Sequence, residues 1–222
     1  DGKLEMAAEY LMRWLQQHKT DSLAWELLGH CMVDMGEHSK AEIAYRRAIA
    51  SDATRTDLAI PLASSLVAQS RHDTAIEVLQ LALTSEPENQ DLRIFLGMQL
   101  ASVDRQQESL DCFASVVHLN PDNHVAWAFK SLSHTRLNEY PQALQDAETS
   151  IALSDKFAQA WFAKGRVLQK MGQWQEAADC LEKSLQLNPA NSLAFDLLAS
   201  IKVTLAEDET TAADVILLCQ KN

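Results

Sequence analysis

The fold is decided by one stretch. It runs Ala160-Trp161-Phe162-Ala163-Lys164-Gly165-Arg166-Val167-Leu168, turns at Met171-Gly172-Gln173, and continues Trp174-Gln175-Glu176-Ala177-Ala178-Asp179-Cys180-Leu181-Glu182-Lys183-Ser184-Leu185 before closing at Asn188-Pro189. Moving back 34 residues at a time from Ala177 meets Ala143, Ser109, Ala75 and Ala41, all small. The same step from Trp161 meets Trp127, Arg93, Ala59 and Trp25, and the forward step meets Phe195. A third column reads Gly29, Ala63, Gly97, Ser131, Gly165, Ala199. A fourth reads Tyr45, Leu79, Phe113, Ala147, Leu181, and a fifth, closing each unit, Ala53, Pro87, Pro121, Asp155, Pro189.

A fixed period of this size marks a repeat architecture. Packing explains the columns. Helices in a hairpin lie about 8–10 Å apart, so small residues are needed where backbones approach and large ones fill the gaps between neighbours. One hairpin cannot bury its own apolar face and needs the next.

These residues resemble the tetratricopeptide repeat family. Units 22–55, 90–123 and 158–191 carry the pattern of Trp, Leu-Gly, Ala, aromatic and Pro well. Unit 56–89 has Ala59 in place of the aromatic, and unit 124–157 has Ala147 and Asp155 in place of the aromatic and the Pro. The resemblance implies an all-α, right-handed superhelical solenoid of stacked antiparallel helix hairpins. A single array is expected over 1–222. Residues 1–21 supply the second helix of a partial repeat, because Leu4, Ala7, Ala8, Leu11, Trp14 and Leu15 form one helical stripe. Residues 192–222 are expected to be a degenerate repeat whose second helix starts near the acidic run Glu207-Asp208-Glu209. The chain starts at Asp1 rather than Met, so a preceding segment is expected.

Between the helices of each unit lies a turn column: Gly36, Ser70, Asp104, Asn138, Gly172, Ala206. Gly, Asn and Asp tolerate the left-handed conformation that ends many helices. Less regular turns are expected at Ser70 and Ala206. Pro61 predicts a late start for its helix, near Ile60, because a proline beyond the first turn costs a hydrogen bond.

Composition narrows the function. The 222 residues hold 19 Lys and Arg against 31 Asp and Glu, a formal net charge of −12. That balance argues against a nucleic-acid surface and against an anionic membrane surface. No apolar run is long enough to span a bilayer. Cys31, Cys112, Cys180 and Cys219 form no CxxC. Cys112 and Cys180 share a register two units apart, roughly 20 Å by helix spacing, too far for a disulfide, so both are expected as buried thiols. Unpaired cysteines tilt the compartment towards a reducing, cytoplasmic one. There is no GxGxxG, P-loop, HExxH or GxSxG, and no cofactor or metal site is expected.

What remains is a surface. In the tetratricopeptide family first helices line a concave groove, and residues one or two places past the aromatic column point into it. Here these are Glu26, Leu27, Ile60, Ile94, Phe95, Phe129 and Phe162, followed one turn on by His30, Met98, Leu132 and Arg166. Exposed apolar patches mark interaction sites. Glu26, Asp34, Asp57 and Asp91 are expected at one end of the groove, and Arg136, Arg166 and Lys170 at the other, orienting a ligand. Lys130 and Lys164 occupy a column expected to be structural. The chaperone-binding clamp of some family members needs Lys, Asn and Arg on three successive first helices, and Ile60, Ser64, Ile94 and Met98 do not supply it.

The expected function is a non-enzymatic scaffold that holds a peptide or helix of another protein in an apolar groove. Three alternatives stand beside it. The chain could be the recruiting region of a larger protein. It could belong to a membrane-anchored assembly complex, since Asp21–Gly29 with Ala44–Ala48 is similar to the tetratricopeptide factors of bacterial cytochrome c assembly. It could also self-associate through Val215, Ile216 and Leu218.

Overall fold

A computed structural model describes the backbone of residues 2–219 and the side chains of residues 2–206. Among the described residues every regular element is helical. The chain comprises two compact units, residues 1–105 and 106–222. The first holds α1 (Gly2–Gln17), α2 (Ser22–Asp34), α3 (His38–Ser51), a 3-10 turn (Thr56–Leu58), α4 (Ala59–Ala68), α5 (His72–Ser85) and α6 (Gln90–Ser102). The second holds α7 (Gln106–Leu119), α8 (His124–Arg136), α9 (Tyr140–Leu153), α10 (Ala158–Lys170), α11 (Trp174–Leu187) and α12 (Ser192–Cys219). In the first unit α2 packs on α3 and α4 on α5; in the second α8 packs on α9 and α10 on α11. Within each unit neighbouring hairpins also meet, as α3 meets α4 and α9 meets α10. The fold is therefore all-α stacked hairpins.

The register dictates how helices begin. Asp21, Asn89, Asn123 and Asn191 stand one place before their helices and accept from the backbone N–H three residues on, at 3.0, 3.0, 3.0 and 3.2 Å. Such a cap contributes about 1 kcal/mol. Arg55 and Phe157 hold the same place and make no side-chain cap.

The turns are alike. Gly36, Ser70, Asp104, Asn138 and Gly172 all take positive φ, between 61 and 78°. In each, the following residue donates to a carbonyl five places back, as Glu37 does to Met32 at 2.8 Å and Arg71 to Leu66 at 2.9 Å. The irregular turn expected at Ser70 is not found: the closing bond holds the serine in the same left-handed turn. At Ala206 no turn occurs at all. α12 runs unbroken from Ser192 to Cys219, so the C-terminal segment is one long helix rather than the expected hairpin. Alanine is the best helix former and resists the left-handed conformation, so nothing at that place stops the helix. The side chains of Val215, Ile216 and Leu218 lie outside the described residues.

The core is the columns. Ala41, Ala75, Ser109, Ala143 and Ala177 are each 0% exposed. Tyr45, Leu79, Phe113, Ala147 and Leu181 are likewise fully buried. Cys180 is buried, but Cys112 is half-buried rather than fully enclosed as expected. α4 starts at Ala59, which puts Pro61 in its first turn, where no backbone donor is needed.

Candidate functional site

The aromatic column builds the rim before it builds any site. Trp25, Trp127 and Trp161 each donate their indole N–H to a carbonyl six residues earlier, on Lys19, Pro121 and Asp155, at 2.8, 2.7 and 2.8 Å. Arg93, which breaks the aromatic pattern, donates to the carbonyl of Pro87 in the same way. At these four positions the column ties an inter-repeat loop to the first helix that follows it; Ala59 and Phe195 have no donor for the same tie. Both this tie and the capping column repeat with the register, but they are carried by donors and acceptors rather than by residue size.

In the first unit, Leu27 is 46% exposed on α2. His30, one turn on, is exposed; its Nδ1 shares a 3.0 Å hydrogen bond with the Tyr45 hydroxyl. Burial, reinforced by Glu26 and Asp34, pushes Tyr45 up to about 12, so it keeps its proton. Ile60 on α4 and Ile94, Phe95 and Met98 on α6 are half-buried. The acidic end expected here is largely occupied: Arg55 Nη2 lies 2.6 Å from Glu26 and 2.8 Å from Asp57. Hydrogen bonds to Asp57 and Glu26 raise the Arg55 pKa further. Asp34 and Asp91 are exposed.

In the second unit, Phe129 is half-buried on α8, its ring stacked on Phe113 with centroids 5.6 Å apart. Leu132 is half-buried against the C-terminal core. Phe162 departs from the expectation. It is 3% exposed and belongs to that core, together with Ala194, Leu198 and Ile201 of α12. Arg136 and Lys170 are exposed and Arg166 is half-buried. The Arg166 guanidinium lies 5.9 Å from the Phe162 ring centroid. Burial lowers its pKa, and the neighbouring Arg136 charge adds to that.

Lys130 and Lys164 are structural. Lys130 Nζ is 2.9 Å from Asp146 and 4.6 Å from the Trp127 ring centroid, and Lys164 Nζ is 2.8 Å from Glu148. Asp146, 4% exposed, also lies 3.5 Å from His134 Nε2, and His134 Nδ1 is 2.5 Å from Glu139. Burial raises the Asp146 pKa against the pull of Lys130. No group of His, Cys, Asp or Glu among the described residues could hold a metal ion. Nor is any described helix long and apolar enough to cross a membrane.

Residues 23–55 and 158–191 match the tetratricopeptide repeat family. No curated protein matches the chain. Among solved structures, it is similar to YrrB, described as a TPR protein with an unusual peptide-binding site, at 19% identity and a TM-score of 0.61, over 85% of this chain and 97% of that one. It is similar to TTC0263, a thermophilic TPR protein in Thermus thermophilus, at 17% identity and a TM-score of 0.68, over 82% of this chain and 99% of that one. It also resembles a chain of the APC/C hetero-tetramer Cut9-Hcn1, at 18% identity and a TM-score of 0.74, over 91% of this chain but 40% of that one. At these identities the likeness is one of fold.

Proposed function

The chain is a tetratricopeptide-repeat protein, and from that premise we propose that it is a non-enzymatic scaffold that binds a peptide or helix of another protein on the apolar faces of its first helices. One observation carries the reading. The residues that join hairpins are fully enclosed, while the large apolar residues one or two places past the aromatic column stay partly open. Leu27, Ile94, Phe95 and Met98 do so in the first unit, and Phe129 and Leu132 in the second. Half-open aromatic side chains are favoured anchors for protein partners. The peptide-binding site ascribed to YrrB, which shares the fold, is consistent with this use.

The test is a lysate pull-down with the wild type and a Phe95→Glu/Phe129→Glu variant, read by mass spectrometry and paired with circular dichroism. Phe162 is left intact, since a charge in its enclosed place would unfold the C-terminal core. A protein retained by the wild type and lost by the folded variant supports the reading. Equal capture by both removes the first-helix faces from it.

A further inference from the structure

Ala59 is the smallest residue of the aromatic column, which otherwise carries Trp25, Arg93, Trp127, Trp161 and Phe195. It has neither the ring nor the donor of that column. The loop before it is nonetheless the same turn. The Arg55 N–H donates to the Asp52 carbonyl at 3.2 Å, as Asp21 does to His18 and Asn123 to Asn120 at 3.1 Å. The Ala53 carbonyl thus holds the register of the Lys19, Pro121 and Asp155 carbonyls, each of which receives an indole N–H. Among the described residues no donor reaches the Ala53 carbonyl.

At this place a cavity of about 330 Å³ opens between α3, α4 and α5, with Ile49, Ala53, Ala59, Leu62, Val78 and Leu81 in its lining. An opening of the same volume lies one repeat earlier, but there the Trp25 ring is part of the lining, and Gln16, Lys19 and Arg47 take the places of Ala50, Ala53 and Leu81. The Arg47 guanidinium lies 5.8 Å from the Trp25 ring centroid. The second cavity therefore differs in chemistry rather than in size: its walls are alanines and branched aliphatic side chains. Arg46 and Arg55 also line it, but Arg46 holds Glu42, and Arg55 holds Glu26 and Asp57, so it asks for no counter-ion. Leu81 stands beside it, 71% exposed.

We propose that this cavity receives the indole side chain of a tryptophan on a partner protein, with the indole N–H donating to the Ala53 carbonyl and the segment around it covering Leu81. The chain itself supplies the chemical precedent, since the same register elsewhere holds an indole that donates to the same carbonyl. An apolar cavity of this size suits a ring better than water, which needs polar partners. A leucine or phenylalanine would fill the walls and leave the carbonyl without a donor; a free ring would leave Leu81 open. The inference goes beyond the scaffold reading and uses none of the first-helix residues on which that reading rests.

The probe is a capped Ala-Ala-Trp-Ala-Ala peptide with fluorine on its indole. Fluorine NMR is the readout because the chain has five tryptophans of its own, and the methyl signals of the protein are recorded alongside. With wild type the peptide signal is expected to shift and broaden, and the methyls of Ile49, Val78 and Leu81 to move. Ala59→Trp, whose own ring takes the place, should lose the peptide and melt at or above wild type. Leu81→Gln, a change at an exposed position, should bind about threefold or more weaker, and an N-methylated indole about fivefold weaker. Phe95→Glu/Phe129→Glu should bind as wild type does. The proposal is overturned if wild type gives no response, if Ala59→Trp and Leu81→Gln both bind unchanged, or if Ala59→Trp melts lower. Equal binding of a Leu-for-Trp peptide also overturns it, as does fluoroindole binding as tightly as the peptide, which would assign the cavity to a small ring ligand. Loss of the peptide by Phe95→Glu/Phe129→Glu would place it on the first-helix faces, removing this inference and leaving the scaffold reading intact.

Discussion

Gly29 lies directly against the ring of Tyr45: a Cβ added at residue 29 would stand 2.5 Å from ring Cε1. The ring cannot swing away, because Tyr45 is 1% exposed and its hydroxyl is held by His30 at 3.0 Å. Gly165 stands in the same relation to Leu181, at 2.8 Å from its Cγ. The small column is thus a set of contact points between the two helices of a hairpin. Gly29→Ala is expected to cost about 1–3 kcal/mol, read as a lower urea midpoint. Adding Tyr45→Leu should recover part of the loss, so that the two changes together cost less than their sum. Additive costs would mean that the contact does not limit the packing.

Ser70 occupies a left-handed turn at φ 61° that Gly36 and Gly172 occupy without penalty. A non-glycine residue in that conformation costs about 1–2 kcal/mol. Ser70→Gly is therefore expected to stabilise the chain by about 1 kcal/mol, a rise of about 2–4 °C in melting temperature for a chain of this size. Gly36→Ala should shift it the other way. An unchanged or lower melting temperature for Ser70→Gly would show that the serine side chain compensates for the strain.

Trp127 and Arg93 perform the same task with different chemistry, each donating to the carbonyl of the proline six residues before it. Trp127→Phe keeps most of the apolar area and loses the donor, and should cost about 1 kcal/mol. Hydrogen exchange should locate the loss at the loop around Pro121 and in the first turn of α8. Protection that falls evenly along α8 would count against the tie.

Acid should weaken the first unit through Glu42. Burial alone would raise its pKa, but hydrogen bonds and charge from Arg46 and Arg71 prevail and hold it below the ordinary 4.5. The unfolded chain therefore binds this proton more readily than the folded one. Glu42 contributes stability above about pH 4.5 that is lost as the pH falls through its folded value. Glu42→Gln should be less stable than wild type at pH 7, and the gap should close on titration towards pH 3. Asp146, raised by burial, acts in the opposite sense: its contribution is present at low pH and lost as the pH rises through its folded value. A gap for Glu42→Gln that stays constant with pH would assign its role to packing.

The period of 34 residues determined nearly all of the helix limits, since helix length, turn residue and small contact residue all repeat with it. Even the late start of α4 followed from Pro61, because a missing N–H is a local property of one residue. What the sequence left open was decided by neighbours distant along the chain. Phe162 and Phe129 both lie just past the aromatic column of their repeats, yet the first is enclosed in a core that includes Ala194, Leu198 and Ile201 of α12 and the second stays half open. Glu26 and Asp57 look like free groove carboxylates until Arg55 reaches both. Arg166 reads as an open groove-end cation until its half-burial over Phe162 and beside Arg136 is seen. Helix formation depends on residues three or four places apart, and a single sequence records those. Exposure and ion pairing depend on which side chains a packed neighbour brings within a few ångströms, and only the tertiary structure decides that.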